Sequence, residues 1–355
     1  MKIAIGIRQQ NHEIDVSGET RERQQIQVLK AMYQRRFLLT LGASLLIFGG
    51  GVAHAQAPKN IARVGILFVG GKDQPHLAAF KNALAERGYT EGKNIVFEYR
   101  YGEGRYDRLT DLADQLVRDH VDVIVTTSSV SALAVRKATR TIPIVMTSGN
   151  PLEQGLAASL AQPGGNVTGL SLFVGDLSGK RVELLKEAFP DLTRVACLWS
   201  PREDPSTTAF RETERAAKAI SMQLYSIELR SAADIDKGFA TLPRSVNAVL
   251  VTMNPLVTLN SKRIVELALK HRLPGMYPTR QFAEEGGLLA YGPLISDLYR
   301  RAAIYVDKIL NGAKPGDLPI EQPTKFEFLA NLKTARQIGV TIPPNVLARA
   351  DQVIR

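Results

Sequence analysis

Three short apolar runs occur twice in this chain of 355 residues, in the same order and at nearly constant spacing. Arg63-Val64-Gly65-Ile66-Leu67 is echoed 131 residues later by Arg194-Val195-Ala196-Cys197-Leu198. Val121-Asp122-Val123-Ile124-Val125-Thr126 is echoed after 125 residues by Val246-Asn247-Ala248-Val249-Leu250-Val251. Ile142-Pro143-Ile144-Val145 returns as Leu273-Pro274-Gly275-Met276, again after 131. Runs of this kind suit strands buried on both faces, as in parallel sheets covered by helices. Two copies of one strand–helix series predict two similar Rossmann-like α/β lobes with parallel sheets, and a cleft between them.

The periodicity between the landmarks fills in the series. Strands are expected over 63–68, 94–101, 122–126, 142–146 and 167–172, and helices over 74–87, 107–118, 130–138 and 153–161. In 94–101, Ile95, Phe97 and Tyr99 alternate with Val96, Glu98 and Arg100, which predicts a strand nearer a sheet edge. The second series runs through helix 178–189, strand 194–199, helix 207–220 and strands near 223–227, 248–252 and 288–290, with a helix over 260–271. A helix over 298–310 has no counterpart in that series and is expected to return to the first lobe. Strand 325–329 and helix 334–338 then cross back. The expected partition is an N-terminal lobe of 60–174 with 292–322, and a C-terminal lobe of 175–291 with 323–355, joined by a three-segment hinge.

The first 55 residues stand apart. Residues 1–31 are polar without a sustained apolar period and precede a second methionine, Met32. Arg35-Arg36, the apolar run 37–53 and Ala53-His54-Ala55 then make the basic start, apolar middle and Ala-x-Ala end of a secretory signal peptide, with cleavage expected after Ala55. The run holds 17 residues, short of the roughly 20 a spanning helix needs. Export to the periplasm is the expectation. Without residues 1–55 the chain keeps 38 of its 45 basic and 31 of its 35 acidic residues, about +7. That mild charge comes without a Lys/Arg block, so nucleic acid is not an expected partner. One cysteine, Cys197, cannot form an internal disulfide and reads as a small buried apolar residue.

Catalytic signatures are missing. The first strand leads into Val69-Gly70-Gly71-Lys72-Asp73, which is not the Gly-x-Gly-x-x-Gly of a dinucleotide fold. The chain contains no Walker loop, no Gly-x-Ser-x-Gly elbow and no His-Glu-x-x-His. His76, His120 and His271 are the histidines beyond residue 55, and no Cys/His cluster accompanies them. No enzyme activity, cofactor or metal is expected. What recurs is small polar residues at the carboxyl ends of expected strands, where open α/β sheets bind ligands. Thr127, Ser128 and Ser129 there could seat a carboxylate through hydroxyls and helix-terminal amides, or could simply cap the helix. Ser148 and Asn150 follow the next strand, and Asn150 could meet a ligand or hold the turn before Pro151. Asn254 and the 200–204 segment with Arg202 occupy the matching ends of the second series. Tyr277 and Tyr291 are expected near the mouth, each either on a ligand or in the core. Arg202 could pair with a ligand carboxylate or with Glu203 or Asp204 at the surface.

At these residues the chain resembles a known family, the substrate-binding proteins of ABC transporters of the tryptophan/tyrosine type, with the type I periplasmic-binding fold. The matching stretches are Gly88-Tyr89-Thr90-Glu91-Gly92-Lys93-Asn94, Ile142-Pro143-Ile144-Val145, Gln162-Pro163-Gly164-Gly165-Asn166-Val167-Thr168-Gly169 and Glu321-Gln322-Pro323-Thr324-Lys325-Phe326-Glu327. The similarity spans residues 60–355. It implies a soluble receptor that closes on a small molecule, an aromatic amino acid or another small carboxylate, and presents it to membrane permease subunits; a monomer is the separate expectation. Family members usually carry Gly-Asp-Pro where this chain has Gly149-Asn150-Pro151, and aspartate would suit an α-ammonium group that Asn150 cannot match in charge. A periplasmic sensor domain of a signalling system, or an α/β enzyme, would be the rival readings of such a cleft.

Overall fold

The structure, a computed structural model, describes residues 61–355 apart from 148, 173–174 and 203. The expected leader, residues 1–55, lies outside the described residues. The first series runs β1 (Ala62–Phe68), α1 (Leu77–Ala85), β2 (Ile95–Tyr101), α2 (Leu109–Arg118), β3 (Val123–Thr126), α3 (Ser129–Ala138), β4 (Ile144–Met146) and β5 (Val167–Gly169). Its five strands form a parallel sheet in the order β2-β1-β3-β4-β5, with β2 at an edge as the alternation predicts.

The second series repeats the plan with α4 (Gly175–Ala188), β6 (Arg194–Trp199), α5 (Asp204–Ala219), β7 (Gln223–Glu228), α6 (Ala233–Ala240), β8 (Ala248–Val251), α7 (Pro255–Leu259), α8 (Ser261–Lys270), β9 (Gly275–Tyr277), α9 (Arg280–Glu284) and β10 (Leu289–Pro293). Read outward from β7, its sheet runs β7-β6-β8-β9-β10, the same winding as the first. Each repeated landmark therefore occupies the same slot in its own sheet: β1 with β6, β3 with β8, β4 with β9. All the β1 and β3 residues are buried from Val64 and Val123 onward, which explains why these runs carry no polar alternation.

After β10 the chain crosses. Helix α10 (Ile295–Leu310) packs on α1, and its Leu298, Ala302, Val306 and Ile309 join Val64, Ile66 and Phe80 in one core. β11 (Phe326–Asn331) then pairs antiparallel with β10, followed by α11 (Leu332–Ile338), α12 (Pro344–Leu347) and the edge strand β12 (Gln352–Ile354). Three segments thus pass between the sheets, and they bond to one another. Leu170 bridges Glu321, Ser171 N–H donates to the Glu321 carbonyl at 2.8 Å, and Leu294 N–H to the Lys325 carbonyl at 3.0 Å. Gly292 is needed at one crossing, because a Cβ there would lie 1.8 Å from the Pro278 carbonyl oxygen.

Two expectations change. The helix over 153–161 is instead a run of turns, in which Leu156 N–H reaches the Pro151 carbonyl at 2.9 Å and Gly155 takes a φ of +62°. Its apolar spacing is short and Gly155 interrupts it, so no helical ladder forms. Conversely α6, α12 and β12 carry too little periodic signal to have been expected. Cys197 is buried, with its thiol pushed up by desolvation. Among the described residues no helix is long and apolar enough to cross a membrane.

Candidate functional site

In a sheet wound second-first-third, the loops after the first and third strands diverge to opposite faces and leave a crevice at the carboxyl end. Both sheets have that winding, and their crevices open on one cavity of about 150 Å³. The first sheet contributes Val69 and Gly70 after β1, Thr127–Ser129 after β3 and Thr147 after β4. The second contributes Met253 and Asn254 after β8, Thr279 after β9 and Pro205 on α5. The returning helix α10 adds Ile295, Leu298 and Tyr299 to the wall.

At the start of α3 the serines divide the work. Ser128, in extended backbone, caps the helix: its Oγ accepts from Ser131 N–H at 3.1 Å, while Ser128 N–H donates to Ser131 Oγ at 3.0 Å. Ser129 does not cap. Its Oγ is buried, 1 % exposed by residue, and has no hydrogen-bond partner. Gly149, at φ +109°, lies directly behind it, and a Cβ there would sit 2.3 Å from Ser129 Oγ. Leaving a buried hydroxyl unpaired costs about 1–3 kcal/mol, which a bound ligand can recover. Thr279, at the start of α9, is the parallel case in the second sheet: its Oγ1 is buried, caps nothing and has no partner.

The other polar groups are occupied. Thr127 Oγ1 leans on the Leu67 carbonyl at 3.5 Å. Asn254 caps α7 by accepting from Val257 N–H at 3.0 Å, and its Nδ2 donates to Ser206 Oγ at 3.2 Å. Two titratable side chains line the cavity among the described residues. Burial lowers the His76 imidazole below its ordinary value, with Glu327 opposing. Burial pushes the Tyr299 phenol up to about 12, with a hydrogen bond to Thr147 opposing. The two rings lie 5.8 Å apart and tilted by 38°.

The structure brings Thr127, Ser128, Ser129 and Asn254 to the cavity wall and leaves four other expected residues off it. Asn150 is buried in the turn after β4, its Oδ1 accepting from Glu153 N–H at 3.5 Å. Tyr277 is core rather than wall: 1 % exposed, stacked on Phe282 at 5.1 Å, with its phenol raised by desolvation. Tyr291 stacks on Phe326 at 6.4 Å and lends its carbonyl to Arg181 Nε at 2.8 Å. Both tyrosines sit on strands of the second sheet, whose faces are covered, so their rings complete the packing there. Arg202 is exposed and lies over the Tyr106 ring at 5.9 Å, spanning the two series rather than entering the cavity. Ser148 falls outside the described residues. Sequence reasoning missed Thr279, which the strand-end rule applied to β9 would have found. It also missed His76 and Tyr299, which no local pattern marks, since both reach the cavity through packing of α1 and α10.

A family model described as ABC transporter substrate binding protein matches residues 73–354. The "Tyrosine-binding protein" of Clostridioides difficile (strain R20291) is 25 % identical over 262 residues, covering 74 % of this chain and 75 % of that protein. A solved structure of a conserved domain protein from Vibrio cholerae O1 biovar El Tor is 27 % identical, with a TM-score of 0.78, covering 83 % of this chain and all of that one. A second, an ABC domain in complex with L-Trp from Streptococcus pneumoniae, is 26 % identical with a TM-score of 0.74, covering 82 % of this chain and 99 % of that one. The chain belongs to the ABC transporter substrate-binding protein family.

Proposed function

We propose that this protein is the periplasmic receptor of an ABC importer, holding one small ligand with an apolar, ring-sized body between its two lobes and handing it to the permease. The observation that carries this reading is the shared cavity at the carboxyl ends of both sheets, where two buried hydroxyls wait without partners. A dry cavity of roughly 150 Å³ takes up benzene, so a single aromatic ring fits the space. The relatives that bind tyrosine and L-Trp by their descriptions point to the same ligand size. Lobes of 60–174 with 292–322 and of 175–291 with 323–355, joined by the three bonded crossings, are the bodies that move.

Closure follows from contacts made across the cleft. Arg202 lies over Tyr106, Thr208 Oγ1 donates to Glu153 Oε2 at 3.5 Å, and Leu259 reaches Gly70 so closely that a Cβ there would meet it at 2.8 Å. Each is weak, about 0.5–1 kcal/mol for the exposed cation–π contact, so a ligand bridging the walls decides the equilibrium. An affinity near micromolar, about −8 kcal/mol, permits both capture and release. A monomer exported by cleavage after Ala55 completes the reading. Small-angle scattering of the protein starting at Gln56 should show compaction when a bound aromatic ligand saturates it. Unchanged dimensions at saturation would remove hinge closure from this account.

A further inference from the structure

The cavity wall is donor-rich and, among the described residues, without formal charge. Helix α3, ten residues long, points its N-terminus at the cavity, and the amides of its first two residues, Ser129 and Val130, have no partner among the described residues. Beside them stands the unpaired, buried Ser129 Oγ. No Asp, Glu, Lys or Arg lines the cavity among the described residues. His76 is held in its neutral form by burial, as is Tyr299, so neither offers a countercharge. Asn150 spends its carboxamide oxygen on the turn amide of Glu153 and is not in the wall.

A carboxylate at this place meets oriented amides, a hydroxyl and the positive end of a helix dipole, a set that binds anions without a cation. An ammonium group carried in with it would leave water for a wall that shows no anion among the described residues, and burying an unpaired charge is expensive. The remaining wall mixes apolar Val69, Leu172, Met253, Leu259 and Leu298 with the neutral side chains of Gln74, Thr258 and Gln281. We infer that the cavity selects an aromatic monocarboxylate that lacks an α-ammonium group over the amino acid of the same skeleton. This rests on the reading of the cavity as the ligand site of a substrate-binding protein.

Matched pairs test it. Titration calorimetry of the protein from Gln56 onward would compare 3-phenylpropanoate with L-phenylalanine and 3-(indol-3-yl)propanoate with L-tryptophan, with 3-phenylpropan-1-ol as the neutral control. Each acid should bind at least about tenfold tighter than its amino acid, and 3-phenylpropanoate about tenfold tighter than the alcohol. Amino acids binding as tightly as the acids would overturn the inference while leaving the receptor reading intact. An alcohol equal to the acid would overturn the carboxylate seat. Binding by none of the five, with no compaction in scattering, would sink the inference together with the receptor reading.

Discussion

The loops after β3 and β8 hold the same place in the two sheets, yet they present opposite faces to the cavity. After β3, Ser128 does the capping and Ser129 follows with its amide and hydroxyl both free. After β8, Asn254 does the capping and Pro255 follows, which has no N–H to offer. Asn254 is further tied to Ser206, whose Oγ also meets Thr252 Oγ1 at 2.8 Å and Ser200 N–H at 2.9 Å. That network is closed on itself. The flanking Met253 and Leu259 give this wall an apolar surface. Equal topology has therefore been put to unequal use: the first wall keeps polar groups open for a ligand, and the second spends its own on rigidity and covers the ligand with side chains.

Substitutions can break this contrast. The largest expected effect is on stability: Asn254→Ala removes a cap and one bond to Ser206, and should lower the unfolding free energy by about 2 kcal/mol in denaturant titration. Loss of ligand binding with stability untouched would reverse the roles of the walls. Next, Ser129→Ala should weaken binding of the preferred aromatic acid about five- to tenfold while the melting temperature of the ligand-free protein stays the same. A fall in that temperature instead would make Ser129 a structural residue. Smallest is a pH effect at His76, whose value burial holds below the ordinary 6.5, with Glu327 pulling upward. The unfolded chain takes up this proton first, so the stabilisation is complete above pH 6.5 and is lost as pH falls through that value towards the lower folded one. Melting temperatures between about pH 7.5 and 5 should drop less steeply for His76→Gln than for the parent. Parallel slopes would place His76 in water.

Much of this molecule could be read from its one-dimensional text. The repeated apolar runs became β1, β3, β4 and their partners because a strand buried on both faces must be apolar at every position, and that leaves a visible signature. Thr127–Ser129 and Asn254 were found by a rule about strand ends, which needs only the order of elements. The strand-end rule could not say which serine would cap and which would stay open, because capping depends on the backbone angles at Ser128, and the room for Ser129 Oγ on the missing Cβ of Gly149. Tyr277 and Tyr291 could have met a ligand or joined the core, and the neighbours of each decided it: Tyr277 is buried against Phe282, and Tyr291 is half-buried against Phe326 and Phe328.

By itself, then, the sequence determined the repeated α/β plan, the small polar residues at its strand ends, and the membership that plan announces. Tertiary structure alone decided the wall of the cavity. The return of α10 to the first lobe was expected, but that it carries Tyr299 to His76, 223 positions earlier in the chain, is a contact no local pattern marks. Whether a polar group is free or spent is settled by its neighbours in space, and those neighbours are distant in the chain.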